Sequence, residues 1–168
     1  MSQVTSGNRA KVTTPSDTEI LIERGFDAPR HLVYRAYTEP DLVRRWWPGQ
    51  RGEMETCEID LRVGGQWRYV MRASNDFEVA FHGEYSEIVP DERIVTTEVY
   101  EGAPPGLEDP INVVTFEESE GRTTLSILMV VESREVRDMI IDSGMEGGMQ
   151  DGMDLLEQLA IALGDDGA

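Results

Sequence analysis

MQDGMDLLEQLAIAL, residues Met149 to Leu163, governs how the rest of the chain must pack. Its apolar residues Met149, Met153, Leu156, Ala160 and Leu163 recur at spacings of 4, 3, 4 and 3, which lays one continuous stripe along a long helix. Such a stripe is stable only when it is buried against another layer. The preceding sequence, from Glu53 to about Glu132, reads as strand after strand, so the partner layer is a sheet. An α+β fold follows, with a curved antiparallel sheet of about seven strands wrapped around the C-terminal helix. Gly152 costs about 1 kcal/mol against alanine inside a helix. A close approach to a strand or to a bound ligand is therefore expected at that position.

The strands are punctuated by turn chemistry at Gly64-Gly65, Ser74-Asn75-Asp76, Pro90-Asp91, Gly102 to Gly106 and Glu120-Gly121. Period-two alternation puts Trp67, Tyr69 and Met71 on one face of their strand, and Phe81, Gly83 and Tyr85 on one face of the next. VVTFEESEGRTTLSILMVVE, residues 113–132, reads as a closing hairpin. Near the N-terminus, TEILIERGFDAP (18–29) is a strand that runs into a short helix carrying Leu32, Val33, Ala36 and Tyr37 on its buried stripe. A second short helix, TEPDLVRRWWPGQ (38–50), has Thr38 and Asp41 in a capping-box arrangement, Pro40 in the first turn, and Pro48-Gly49 as its stop. Trp46 and Trp47 share its apolar face, which allows one ring to anchor the helix while the other borders a cavity. Ser133 is the expected N-cap of a further short helix carrying Val136, Met139 and Ile140, which Gly144 breaks.

The 168 residues suit one domain, expected over 18–163, with residues 1–17 as a disordered polar arm and 164–168 as a disordered tail. Net charge is −18, from 33 acidic against 15 basic residues, so the chain repels phosphate backbones and no nucleic-acid partner is expected. No apolar run approaches the roughly 18 residues of a membrane span. Cys57 is the single cysteine, which excludes an internal disulfide and any cysteine-based metal cluster; a reducing, cytoplasmic setting is expected.

No nucleophile elbow, metalloprotease helix or P-loop is present, and His31 and His82 have no Cys or His at ligand spacing. No catalytic residue, metal or cofactor is therefore predicted. His82 and Glu84 share a strand face opposite Phe81, Gly83 and Tyr85, and read as a surface pair. Asp60 and Arg62 read as an ion pair, Gly64-Gly65 as a tight strand connection, and Cys57 as a small core residue. Met139, Met145, Met149 and Met153 cluster around the helix break, where thioether chains adapt to an irregular apolar space.

Three segments together carry a resemblance: Ala28 to Trp47, DLRVGGQWRYVM (Asp60 to Met71), and HGEYSEIVPDERIVTTEVY (His82 to Tyr100). As a set they resemble the SRPBCC superfamily and, more narrowly, bacterial proteins similar to the C-terminal domain of the activator of heat-shock protein 90 ATPase. The likeness spans about Glu19 to Leu163. It implies a START-like helix-grip fold with two short helices after the first strand and a cavity between sheet and long helix. Many relatives bind apolar small molecules there, and some are polyketide cyclases or aromatases. Relatives often carry Gly-Trp early in the last helix where this chain has Gly152-Met153, which softens the cavity wall. The expected partner is an apolar or aromatic small molecule, held by Trp46, Trp47, Trp67, Tyr69, Met71, Phe81, Tyr85, Met149 and Met153. A co-chaperone or other protein-interaction module, and a cyclase-like enzyme, are the alternatives.

Overall fold

The computed structural model describes residues 8–166. Its elements are β1 (Lys11–Thr13), β2 (Glu19–Phe26), α1 (Arg30–Thr38), α2 (Pro40–Trp46), β3 (Gly52–Ile59), β4 (Gln66–Ala73), β5 (Glu78–Val89), β6 (Arg93–Thr97), β7 (Val99–Tyr100), β8 (Ile111–Ser119), β9 (Arg122–Val130), α3 (Arg134–Asp142) and α4 (Met145–Asp166). One nine-stranded sheet runs in the order β1-β2-β9-β8-β6-β5-β4-β3, with β7 paired to β5. Every pairing is antiparallel, and register shifts between Met54 and Thr56 and between Tyr85 and Glu87 help to bend the sheet. The curved sheet, two short helices after β2 and the long C-terminal helix form the helix-grip arrangement.

The α4 seam behaves as its spacing predicts. Leu156 and Ala160 are fully buried and Met153 nearly so. Facing them, β2 alternates strictly: Ile20, Ile22, Arg24 and Phe26 all point inward, opposite Met129, Ile127, Leu125 and Thr123 of β9. An arginine among those four is unexpected for a core strand. It survives because α4 brings two carboxylates to it, Asp154 at 2.5 Å and Glu157 at 3.2 Å, while its guanidinium lies over the Phe26 ring.

Several expectations need correction. Among the described residues the expected set of about seven strands is present, and the short β1 and β7 bring the sheet to nine. β1 lies within the stretch expected to be a disordered arm. It pairs with β2, and Gln150 of α4 clasps the backbone of Ala10 in both directions, accepting from its N–H at 3.1 Å and donating to its carbonyl at 2.9 Å. Residues 1–7 of that arm lie outside the described residues. At the other end, α4 continues to Asp166, through most of the expected tail; residues 167–168 lie outside the described residues.

The capping box at Thr38 does not form. Thr38 ends α1, and its hydroxyl donates to the Tyr34 carbonyl one turn back at 2.8 Å, leaving Glu39 as N-cap of α2 without a side-chain bond. Tyr34 and Thr38 join the buried side of α1, Tyr34 packing edge-on against Phe116. Ser133 does cap α3, accepting from the Val136 N–H at 3.2 Å, and Gly144 breaks the chain with φ of 84°. Met139, expected with the methionine cluster, faces solvent. Among the described residues no helix is long and apolar enough to cross a membrane.

Candidate functional site

Between the N-terminal half of α4 and the β4–β5 half of the sheet the two layers do not meet, and a cavity of about 330 Å³ remains. All the residues singled out by sequence line it: Trp46 and Trp47 from the end of α2, Trp67, Tyr69 and Met71 from β4, Phe81 and Tyr85 from β5, and Met149 and Met153 from α4. Strand alternation accounts for the β4 set. Antiparallel register then sets Phe81 opposite Tyr69 and Gly83 opposite Trp67, so rings pack across strands. Trp67 and Tyr69 lie 4.6 Å apart, and Trp47 stands edge-on to both Tyr69 and Phe81, at 5.3 and 5.6 Å. The exposed Arg51 and the half-buried Met71 and Met145 mark the solvent side.

Gly83 is required by this packing. A Cβ there would sit 2.5 Å from Trp67 Nε1 and 2.0 Å from the Thr97 carbonyl, so the indole occupies the space of the missing side chain. That indole donates to Thr96 Oγ1 at 2.8 Å. Gly152 lines the cavity, but the backbone that approaches it is not the strand that sequence offered. Its nearest neighbour is the carbonyl of Trp46, 3.2 Å from where a Cβ would stand, so the glycine admits the end of α2 rather than a strand.

The tryptophan pair is unequal. Trp46 is 9% exposed, stacks on Tyr37 at 5.5 Å and donates from Nε1 to the Ala36 carbonyl at 2.8 Å. Trp47 is half-buried and spends its ring on the cavity wall.

Sequence reading missed the polar end of the cavity. Glu98, just after β6, and Asn112 of β8 both line it, and Asn112 Nδ2 donates to Glu98 Oε1. Burial raises the Glu98 carboxyl above its ordinary value, while the bond from Asn112 pulls the other way. Burial likewise raises the phenols of Tyr37, Tyr69 and Tyr85 well above their ordinary range, so all three are neutral hydroxyls; the charge of Glu98 adds to the effect at Tyr37 and Tyr69. The signal was present in the alternation. Ile94 and Thr96 point inward, and Glu98 continues their face; Asn112 likewise shares the face of Val114 and Phe116.

The other titratable candidates lie elsewhere. His82 is on the outer face as expected, but its partner is Glu101, 2.9 Å from Nδ1, rather than Glu84. Arg68 also grips Glu101 with two bonds, and these contacts hold that carboxyl down to about 2. Cys57 is buried and its thiol is pushed up to about 11, chiefly by desolvation, which keeps it protonated. Arg62 and Asp60 form an exposed pair at 2.9 Å. Gly64 has φ of 85°, and a Cβ on Gly65 would meet the Asp60 carbonyl at 2.1 Å, so the pair serves the turn between β3 and β4. Among the described residues no group of three or more His, Cys, Asp or Glu is arranged to hold a metal.

Residues 27–160 match the profile of the family described as Activator of Hsp90 ATPase homolog 1-like protein. No curated protein matches the chain. Among solved structures, a Chromobacterium violaceum protein is 30% identical with a TM-score of 0.74, covering 86% of this chain and 98% of that one. A Rhodobacter sphaeroides protein at 23% identity superimposes with a TM-score of 0.82, covering 92% and 99%. A third, the AHSA1-like protein from Aeromonas hydrophila, is 19% identical with a TM-score of 0.65, covering 87% and 94%. At these lower identities the likeness speaks for the fold alone.

Proposed function

The chain belongs to the Activator of Hsp90 ATPase homolog 1-like family, and from that premise we propose that it binds an apolar or aromatic small molecule between α4 and the sheet. The observation that carries this reading is the cavity itself: about 330 Å³ walled by indole, phenol, phenyl and thioether groups. That volume is at the lower end of the range of small-molecule sites, roughly 300 to 1,000 Å³. Side chains facing such a space forgo dispersion contacts that a flat apolar guest would restore. Trp47, Tyr69 and Phe81 supply rigid faces for it, and Met149 and Met153 adapt to its outline.

The test is a titration of small aromatic probes, following tryptophan emission and melting temperature, on the wild type and on Met149→Trp. The variant fills the cavity from a half-buried position and leaves the close contact at Gly152 intact. Saturable binding with a thermal shift is expected, weakened about tenfold in a variant that still melts cooperatively. If no probe saturates, the cavity reading fails, and protein docking of the kind suggested by the family's description takes its place.

A further inference from the structure

Away from Arg51 on its solvent side, the cavity gathers a carboxyl and an amide at one inner end, and that end is incompletely bonded. Glu98 uses Oε1 to accept from Asn112, but its Oε2 has no hydrogen bond among the described residues. Asn112 is 6% exposed, and its Oδ1 is buried with no partner. The hydroxyls of Tyr37, Tyr69 and Tyr85, which line the same space, are also without a protein partner among the described residues. Buried polar groups in folded proteins are ordinarily bonded, so the enclosed, unpartnered Asn112 Oδ1 beside the open Oε2 of Glu98 marks this end as a place for a guest's polar group. Arg24 lies outside the cavity lining: two carboxylates and a carbonyl close around its terminal nitrogens, and its Nε alone is buried without a partner.

We propose that Glu98 is the head-group contact of the ligand site, and that the ligand carries a neutral hydroxyl on an apolar or aromatic body. The ligand oxygen accepts from the protonated Oε2 of Glu98, whose Oε1 is held by Asn112, and the ligand O–H donates to a tyrosine hydroxyl, using both halves of its bonding capacity. Asn112 acts through Glu98 as a positioning residue, fixing the carboxyl from β8. A neutral head suits the site because burial favours the neutral form of Glu98, and a hydroxyl brings no charge to desolvate. An ammonium head would bring a charge that the apolar walls leave poorly solvated. The inference rests on the reading of the cavity as a ligand site, and its test separates the two.

Isothermal titration of the full chain with 2-naphthol, naphthalene and 2-naphthylmethylamine at neutral pH provides that test. An unserved hydroxyl would make naphthol the weaker ligand, because its desolvation would go uncompensated. With Glu98 as partner, naphthol is expected to bind about tenfold tighter than naphthalene and tighter than the amine. Glu98→Leu should bring the naphthol-to-naphthalene ratio to unity or below while naphthalene still binds; Glu98→Gln, whose oxygen stays with Asn112 and whose amide N–H still donates to the ligand oxygen, should retain part of it. Equal binding of naphthol and naphthalene to the wild type, a ratio that survives Glu98→Leu, or a preference for the amine overturns the hydroxyl subsite and leaves the cavity reading standing. Failure of all three probes overturns both. If Glu98→Leu does not fold, the wild-type ratio and its change in Glu98→Gln decide the matter.

Discussion

The two ends of α4 meet the same sheet on opposite terms. Toward its C-terminus, Leu156 and Ala160 are fully buried, and Asp154 and Glu157 clamp Arg24 of β2, with Glu157 also accepting from the Asp27 N–H at 2.9 Å and from Asn8 at 2.8 Å. Toward its N-terminus, Met145, Gly148, Met149 and Met153 face β4 and β5 across open space. A straight helix against a curved sheet can close tightly along only part of its length. Residue chemistry follows that geometry: compact aliphatic side chains and one compensated charge cluster where the layers touch, and thioethers and aromatic rings where they part. One end is built for stability and the other keeps room inside.

That contrast breaks most decisively at Arg24. Arg24→Ala would leave Glu157, 7% exposed, without its cation, and a loss of about 3 to 5 kcal/mol is expected in denaturant unfolding. A loss below about 1 kcal/mol would mean that the clamp contributes little and that apolar burial alone secures this end.

At the open end the tryptophans should separate. Trp46→Ala removes a ring that is buried, stacked and hydrogen-bonded, and should cost about 3 to 5 kcal/mol. Trp47→Ala removes a half-buried ring from the cavity wall and should cost about half as much, while weakening probe binding more. Equal losses from urea unfolding would erase the distinction between anchor and wall.

The smallest effect is expected at Glu98, and its sign is diagnostic. Because its folded-state value is raised, the folded chain holds this proton more tightly than the unfolded chain does; its contribution to stability is full below the ordinary value of 4.5 and declines as pH rises through the raised value. Glu98→Gln keeps the acceptor for Asn112 and removes the titration. The variant should melt a few degrees higher, about 2 to 4 °C, at pH 7 and show no such advantage at pH 4. A variant that melts lower than wild type at pH 7 would show that the ionised carboxyl is stabilised where it stands.

Much of the architecture was legible because backbone periodicity is local. The spacing of Met153, Leu156 and Ala160 identified the inward face of α4, alternation gathered Trp67, Tyr69 and Met71, and Ser133 and Gly64-Gly65 acted where their chemistry places them. Misreadings arose where a distant segment supplied the missing partner. Lys11 to Thr13 has the composition of a free arm, yet the open edge of β2 and the side chain of Gln150 hold it as a strand. The close approach at Gly152 was expected from a strand or a bound ligand, because nothing near it in the chain announces that the last turn of α2 will arrive 3.2 Å from where a Cβ would stand.

The sequence therefore specified which face of each element turns inward, since side-chain direction repeats with the 3.6-residue and 2-residue periods of the backbone. The distance between those faces depended on pairings far apart in the chain: β2 against β9, α4 against α1 and α2, and the bulges that bend β3–β4 and β5–β6. Only their combination leaves α4 buried at Leu156 and apart from the sheet at Met149, and brings Glu98, just after β6, and Asn112 of β8 together at the inner end of the cavity. Curvature accumulates over the whole sheet, and no local pattern records it.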